Sequence, residues 1–375
     1  PGHDHHEALH SAPRPVEGDA VDPIWLEPVD EVIVTMLMDN SYDGLLADTG
    51  PATRNGLVKT PATPSAVMLD GETKPGLIAE HGFSALVTVR TGDRAHTLLF
   101  DTGVSPNGMA DNMERLGVDA TDIEAVVLSH GHFDHAGGLE GLTKLRRRHG
   151  LPIVVHPMLW SRRRLAIPDM PAIEMPTVSK RSLEDEGFEV IERRQRSLVL
   201  DGSVLITGEV DRTTDFETGM PFHERHADHG WEPDPLILDD QALVVNVRDQ
   251  GLLVLTGCGH AGAVNIARYA MRLTGIDRLH AMMGGFHLGG PAFERIIEPT
   301  VHALAAMHPT VIGPAHCTGW TAQHRFAAAL PDAFGPNAVG TSYTLTAARR
   351  SPAHDQATTT RPPPGHHDRA HVERR

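Results

Sequence analysis

The stretch "LSHGHFDHAGGLEGL", residues 128–142, crowds His130, His132, Asp134 and His135 together and follows them with Gly137 and Gly138. It continues from "IEAVVLS" (123–129), a short, almost wholly apolar run of the kind that forms a strand buried on both faces. In an extended segment, side chains two residues apart point the same way, so His130 and His132 can converge on one ion. Asp134 and His135 come where the strand ends and the chain turns, which aims them at a neighbouring position. Imidazole and carboxylate suit zinc, and iron and manganese accept the same donors. The two glycines allow close backbone packing against such a site. One ion needs only three or four protein ligands. Four candidates in one turn, with more histidines downstream, therefore imply two adjacent divalent ions, zinc before manganese or iron. Histidines at a strand end can also be satisfied polar groups, but the H-x-H-x-D-H crowding after an apolar strand argues against that reading.

Three later segments repeat the logic. His260 lies in "LVLTGCGHAGAVNIARYA" (253–270), His287 in "MMGGFHLGG" (282–290) and His316 in "GPAHCTGW" (313–320). Each histidine follows an apolar strand in a glycine-containing context, and strand ends feeding loops are where α/β sites are built.

The chain has 375 residues, enough for one elaborated domain or two small ones. Its formal charge of −16 argues against a general polyanion partner, because phosphate backbones reward lysine and arginine. The basic runs Arg146–Arg148 and Arg162–Arg164 read as solvated faces. Two cysteines, Cys258 and Cys317, are too few for a disulfide framework and suit a reducing compartment. The first thirty residues hold no apolar run of signal-peptide length and no later run approaches a membrane span. A soluble, cytoplasmic protein acting on a small molecule is expected, with neither nucleic acid nor membrane as partner.

Residues 1–30 read as a disordered polar N-terminal tail, most clearly over 1–22, and 349–375 as a disordered C-terminal tail. Between them strands and helices alternate. Strands are expected at 31–39, 84–90, 96–101, 123–129, 152–156, 196–200, 203–210, 242–249, 251–257, 278–284 and 310–313. Helices are expected at 106–117, 138–150, 261–275, 291–308 and 321–331, with "FHERHADHGWEPDP" (222–235) as a polar loop. Early meander strands, interleaved helices and a late second strand set suggest two sheets with helices outside.

Taken together, the cluster, "LLFDTG" (98–103), "GCGHAG", "GGFHL" and "HCTG" resemble the metallo-β-lactamase fold superfamily. Within it they are similar to the subgroup that includes proteins named 7,8-dihydropterin-6-methyl-4-(β-D-ribofuranosyl)-aminobenzene-5′-phosphate synthase. The resemblance covers residues 31–345, matches poorly over 158–235, and implies a four-layer αββα sandwich with two central mixed sheets over 31–348. Two departures stand out. Where most members carry an isolated ligand histidine, "LITGEVDR" (205–212) offers Glu209. Where many carry a bridging aspartate, Cys258 stands, either a thiolate ligand or a small buried residue. His260 is taken as the compensating ligand. One site then comprises His130, His132 and His260, and the other Asp134, His135 and His316. Asp101 would support the ligand loop, and His287 would orient substrate or protonate a leaving group.

The expected function is metal-dependent hydrolysis by activated water, with Asp134 and His287 as catalytic residues. The subgroup's condensation, a transferase reaction, is the alternative, and metal binding without turnover the third reading. Oxygen reduction at di-iron is disfavoured, because the members that do it replace the second histidine of the motif, here His132, with a carboxylate.

Overall fold

From the strand Gly251–Thr256, Leu253 and Leu255 face one buried layer, and Leu252 and Val254 face another. The same division holds for Leu243 and Val245 against Val244, and for Val127 against Val126. A strand with both faces buried has no polar side to display, which is why these segments read as unbroken apolar runs.

The structure is a computed structural model, and it describes residues 23–56, 60–146 and 150–348. The expected tail segments 1–22 and 349–375 lie outside the described residues, as do Arg147 and Arg148 of the first basic run. The expected tail boundary at residue 30 needs correction. Leu26 and Val29 are buried, and the amides of Ile24 and Val29 donate to Leu273 O and Asn246 O. Apolar residues spaced through "IWLEPV" dock this lead-in on the second sheet.

One sheet has eight strands in the spatial order Phe188–Glu192, Leu151–Val155, Ala125–Val127, Arg94–Phe100, Ser84–Thr91, Glu31–Met38, Ser342–Thr346 and Ala52–Thr53. The other has six: Gln195–Val199, Val204–Gly208, Ala242–Val247, Gly251–Thr256, Leu279–Gly285 and Val311–Ala315. A shared core runs between them, with Val32, Val34, Val87 and Phe100 from the first sheet against Ile206, Leu243, Leu255 and Met283 from the second. Helices Gly108–Leu116 and Leu139–Arg146 cover the outer face of the first sheet through Met109, Met113 and Leu142. Helices Ala263–Thr274, Glu294–Ala305 and Trp320–Ala329 cover the second through Ile266, Val301 and Phe326. The four layers are αββα with two mixed sheets, as the resemblance implied. The strand Ser342–Thr346, absent from the sequence reading, pairs antiparallel with Glu31–Met38.

The connectivity creates the site. Arg94–Phe100, Ala125–Val127 and Leu151–Val155 run parallel, as do Gly251–Thr256, Leu279–Gly285 and Val311–Ala315. Their carboxyl ends lie on one rim of the sandwich. Asp101, the H-x-H-x-D-H loop, His260, His287 and His316 all follow those ends directly. The poorly matched 158–235 segment builds a small sheet of Ile173–Glu174, Arg163–Leu165, His223–Ala227 and Gly230–Pro233. The expected polar loop 222–235 is thus a β-hairpin.

Candidate metal centre

The strand before the motif is shorter than expected, Ala125–Val127, and the motif itself is a loop ending in the 3₁₀ turn Phe133–His135. Convergence survives the change: His130 Nε2 lies 2.9 Å from His132 Nδ1. Backbone approach explains the glycines. A Cβ at Gly137 would overlap the Val104 carbonyl, and one at Gly138 the Thr102 carbonyl. Gly131 N donates to Asp239 Oδ2 at 2.8 Å, and Asp239 pairs with Arg163, which is fully buried. The second basic run is therefore not a simple solvated face. Its central arginine anchors the ligand loop, and only Arg162 and Arg164 pair near the surface, with Glu174 and Glu224.

Asp101 organises the loop from beneath. Its carboxylate accepts from Ser129 N at 2.7 Å, Ser129 Oγ at 2.7 Å and His135 Nδ1 at 2.6 Å. Ser129 Oγ, having donated to Asp101, accepts from His130 Nδ1 at 2.9 Å. One carboxylate thus orients His135 directly and His130 through a hydroxyl, leaving both Nε2 atoms facing the rim. Asp101 has a φ of 59°, a conformation rare outside glycine and held here by those three bonds.

His132 is fixed differently. His223 Nδ1 donates to Asp234 O at 2.9 Å, so its Nε2 is an acceptor, and it lies 3.0 Å from His132 Nε2. The network therefore puts the His132 proton on Nε2 and bares Nδ1. His260 Nε2 sits 3.2 Å from His130 Nε2 and 3.2 Å from His132 Nδ1. Its loop is clamped by Asp240, which accepts from Ala261 N at 2.9 Å, and by Arg212, which donates to His260 O and Ala261 O at 3.2 Å each.

Beside this trio stands a second group, Asp134, His135, Cys258 and His316, whose donor atoms lie within 4.8 Å of one another. His135 Nε2 is 3.2 Å from Cys258 Sγ. His316 Nδ1 donates to Asn40 Oδ1 at 3.1 Å, and Asp39 accepts from His316 N at 2.8 Å. His316 Nε2 is left 3.3 Å from Asp134 Oδ2 without a hydrogen bond.

Burial sets the charge states. It pushes His130 well below the ordinary histidine range, helped by the neighbouring imidazoles of His135, His132 and His260. Burial does the same to His132, helped by the Arg163 guanidinium and His223, and to His260, helped by His287 and His132. All three are neutral, the form that ligates metal. Burial would raise Asp134, but His135 and His316 outweigh it and hold the carboxyl well below its ordinary range. Burial opposes charge on His135 as well, yet Asp101 and Asp134 raise it to about 9. Burial pushes the Cys258 thiol up, with Cys317 adding to it, so a thiolate there needs a cation beside it.

The residues fit divalent ions. In the first group three buried imidazole nitrogens face one another at 2.9–3.2 Å, and one shared proton cannot satisfy them all. Ligand nitrogens about 2.0–2.1 Å from a zinc ion stand about 3.0–3.4 Å apart. In the second group His316 Nε2 and Asp134 Oδ2 lie 3.3 Å apart, an imidazole and a carboxylate of the kind that a divalent ion holds side by side.

Residues 79–264 match the family model described as the metallo-beta-lactamase superfamily. The chain carries a metallo-beta-lactamase domain. The 7,8-dihydropterin-6-methyl-4-(beta-D-ribofuranosyl)-aminobenzene-5'-phosphate synthase of Methanocaldococcus jannaschii is 29% identical over 251 residues, covering 66% of this chain and 84% of that protein. An uncharacterized protein of the same archaeon is 26% identical over 261 residues, covering 68% of this chain and 91% of its own. The crystal structure of Tm1679, a metal-dependent hydrolase of the beta-lactamase superfamily, superposes with a TM-score of 0.62. It has 22% identity and covers 84% of this chain and 99% of that one. The likeness to Tm1679 establishes the fold of the metallo-beta-lactamase domain.

Within that domain the structure brings together the six side chains expected at the metal centre, His130, His132, Asp134, His135, His260 and His316, and adds Cys258 to the second group. His287 lies beside them, its ring 4.2 Å from that of His260. Glu209 is not among them. Its carboxylate is engaged by Arg194 Nη1 at 2.7 Å and His156 Nε2 at 3.2 Å. The residue missed from sequence is His223. It opens the strand His223–Ala227, in which it alone is fully buried, and reading "FHERH" as loop hid it. No helix among the described residues is long and apolar enough to cross a membrane.

Proposed function

We propose that the chain is a metal-dependent hydrolase whose dinuclear centre is held by His130, His132 and His260 on one side and Asp134, His135, Cys258 and His316 on the other. The observation that carries this reading is the convergence of buried, neutral imidazole nitrogens from two separated loops beside a cleft that His287 lines. Divalent ions bound there, zinc first among the candidates, supply Lewis acidity and a nucleophilic water near neutral pH.

The chain's own residues do the rest. Asp134, ionised and 3.3 Å from His316 Nε2, anchors the second group and accepts a hydrogen bond from the attacking water. His287 has a φ of 46° and a buried Nδ1 without a partner, and it faces the cleft. A side chain held in that conformation with one ring nitrogen unpartnered is poised to serve a ligand. Water adds to the carbonyl or phosphoryl centre and loses a proton past Asp134 to solvent, the bond to the leaving oxygen or sulfur breaks, and His287 delivers a proton to that atom and is recharged from solvent. Esters, thioesters, lactones and phosphoesters all fit this chemistry.

A second reading is condensation of the kind named for the archaeal synthase, and it is favoured by the 29% identity over 66% of this chain. The test is a zinc-loaded protein offered a panel of esters, lactones and phosphodiesters in parallel with a dihydropterin and a ribofuranosylaminobenzene phosphate. Turnover of the hydrolytic panel supports the first reading. Product formed only from the pterin pair replaces it with the second.

A further inference from the structure

The cleft beside His260 and His287 is a throat of about 20 Å³, room for little more than one water, walled by Met220, Phe286, Phe293 and Ile296. The Phe293 ring stands edge-on to His287 at 4.7 Å. Gly219, Phe293 and Ile296 wall both the throat and a neighbouring cavity of about 230 Å³. That cavity is lined by apolar side chains, including Phe216, Pro221 and Pro235, and by Arg295. Glu217 reaches the throat, but its carboxylate is occupied by Val264 N and Asn265 N at 2.9 Å each and by Thr214 Oγ1 at 3.0 Å.

Several other arginines are engaged within the protein: Arg163 by Asp239, Arg194 by Glu209, Arg225 by Glu232, Arg325 by Glu298 and Arg212 by backbone carbonyls. Arg295 is exposed at the edge of the cavity, which it lines, and has no carboxylate or carbonyl partner among the described residues. A guanidinium at the edge of an apolar cavity offers a forked, charge-assisted contact to an anionic group carried by a molecule that fills the cavity.

We infer that the cavity selects an elongated substrate. Its reacting end abuts the mouth of the throat by His287, its apolar body packs on Phe293 and Ile296, and an anionic oxygen group, carboxylate or phosphate, meets Arg295. Arg295 is on this account a specificity residue. The inference rests on the proposed metal centre only for where the reacting end lies.

The test is binding without turnover, by calorimetry on the zinc-loaded full-length protein. The probes are phenyloctanoate, phenyloctyl phosphate and the uncharged phenyloctanamide. The wild type should bind at least one of the two anions about tenfold or more tightly than the amide, the scale of one charge-assisted contact. The better anion identifies the group recognised. R295A should erase that preference and R295K should keep most of it. F293L should weaken anion and amide alike, and zinc content should be unchanged throughout. Equal binding of anion and amide to the wild type, or a preference that survives R295A because the anion sits on the zinc itself, overturns the inference. A protein that shows the Arg295-dependent preference yet hydrolyses nothing in the panel sinks the hydrolase reading and leaves this one standing.

Discussion

His132 and His223 meet Nε2 to Nε2 at 3.0 Å, and this contact ties the small added sheet to the candidate metal centre. His223 reaches it from the hairpin strand His223–Ala227, with its far nitrogen held by Asp234 O. Burial and the Arg163 guanidinium lower His223 to about 4, so it stays a neutral acceptor through the physiological range. H223A should weaken metal binding at the first group about 10- to 100-fold, the usual effect of losing a ligand-orienting partner. The stranded His132 donor should also cost about 1–3 kcal/mol of stability. H223Q, which can still accept a hydrogen bond, should recover part of both. Competition with a chelator and denaturant melts check this; an unchanged affinity in H223A would remove His223 from the account.

Cys258 is expected to hold the second ion as a thiolate. Cobalt-loaded wild type should show a sulfur-to-cobalt charge-transfer band in the near ultraviolet. C258S should lose the band and the second ion while keeping the ion of the first group, and C317S should retain the band. A band that survives C258S and disappears in C317S would reverse the assignment.

Asp234 makes a pH-dependent contribution away from the ligands themselves. Burial raises its carboxyl to about 6, opposed by Arg163 and reinforced by Asp239. A folded-state value above the unfolded one means that the native state holds the proton more tightly. The stability this gives is fully present below about pH 3.8 and is lost as pH rises through about 6. D234N cannot ionise, so its melting temperature should gain on the wild type between pH 4 and pH 7. A difference that is flat, or that moves the other way, contradicts the assignment.

Much of this was legible in the sequence because the signals are local. Each expected ligand sits a few residues beyond an apolar run, and each run is apolar because its strand is buried on both faces. His223 and Arg163 were not legible because their partners are distant. His223 faces a loop 91 residues away, and Arg163 meets Asp239 76 residues away. Their sheet also lacks the apolar alternation that marks a strand. It is held by Arg164–Glu224 and Arg225–Glu232 pairs and by Arg164 over the Trp231 ring at 4.5 Å. The strand Ser342–Thr346 escaped for the same reason, since its partner Glu31–Met38 lies at the other end of the described chain.

Metal content after exhaustive dialysis of wild type, H260A and H316A tests the central claim most directly. The account expects about two divalent ions per chain in the wild type and about one in each variant, lost from different groups, as two independent sets of three or four ligands require. A wild-type protein that holds no metal after zinc loading, or variants that both keep the full wild-type complement, would contradict it.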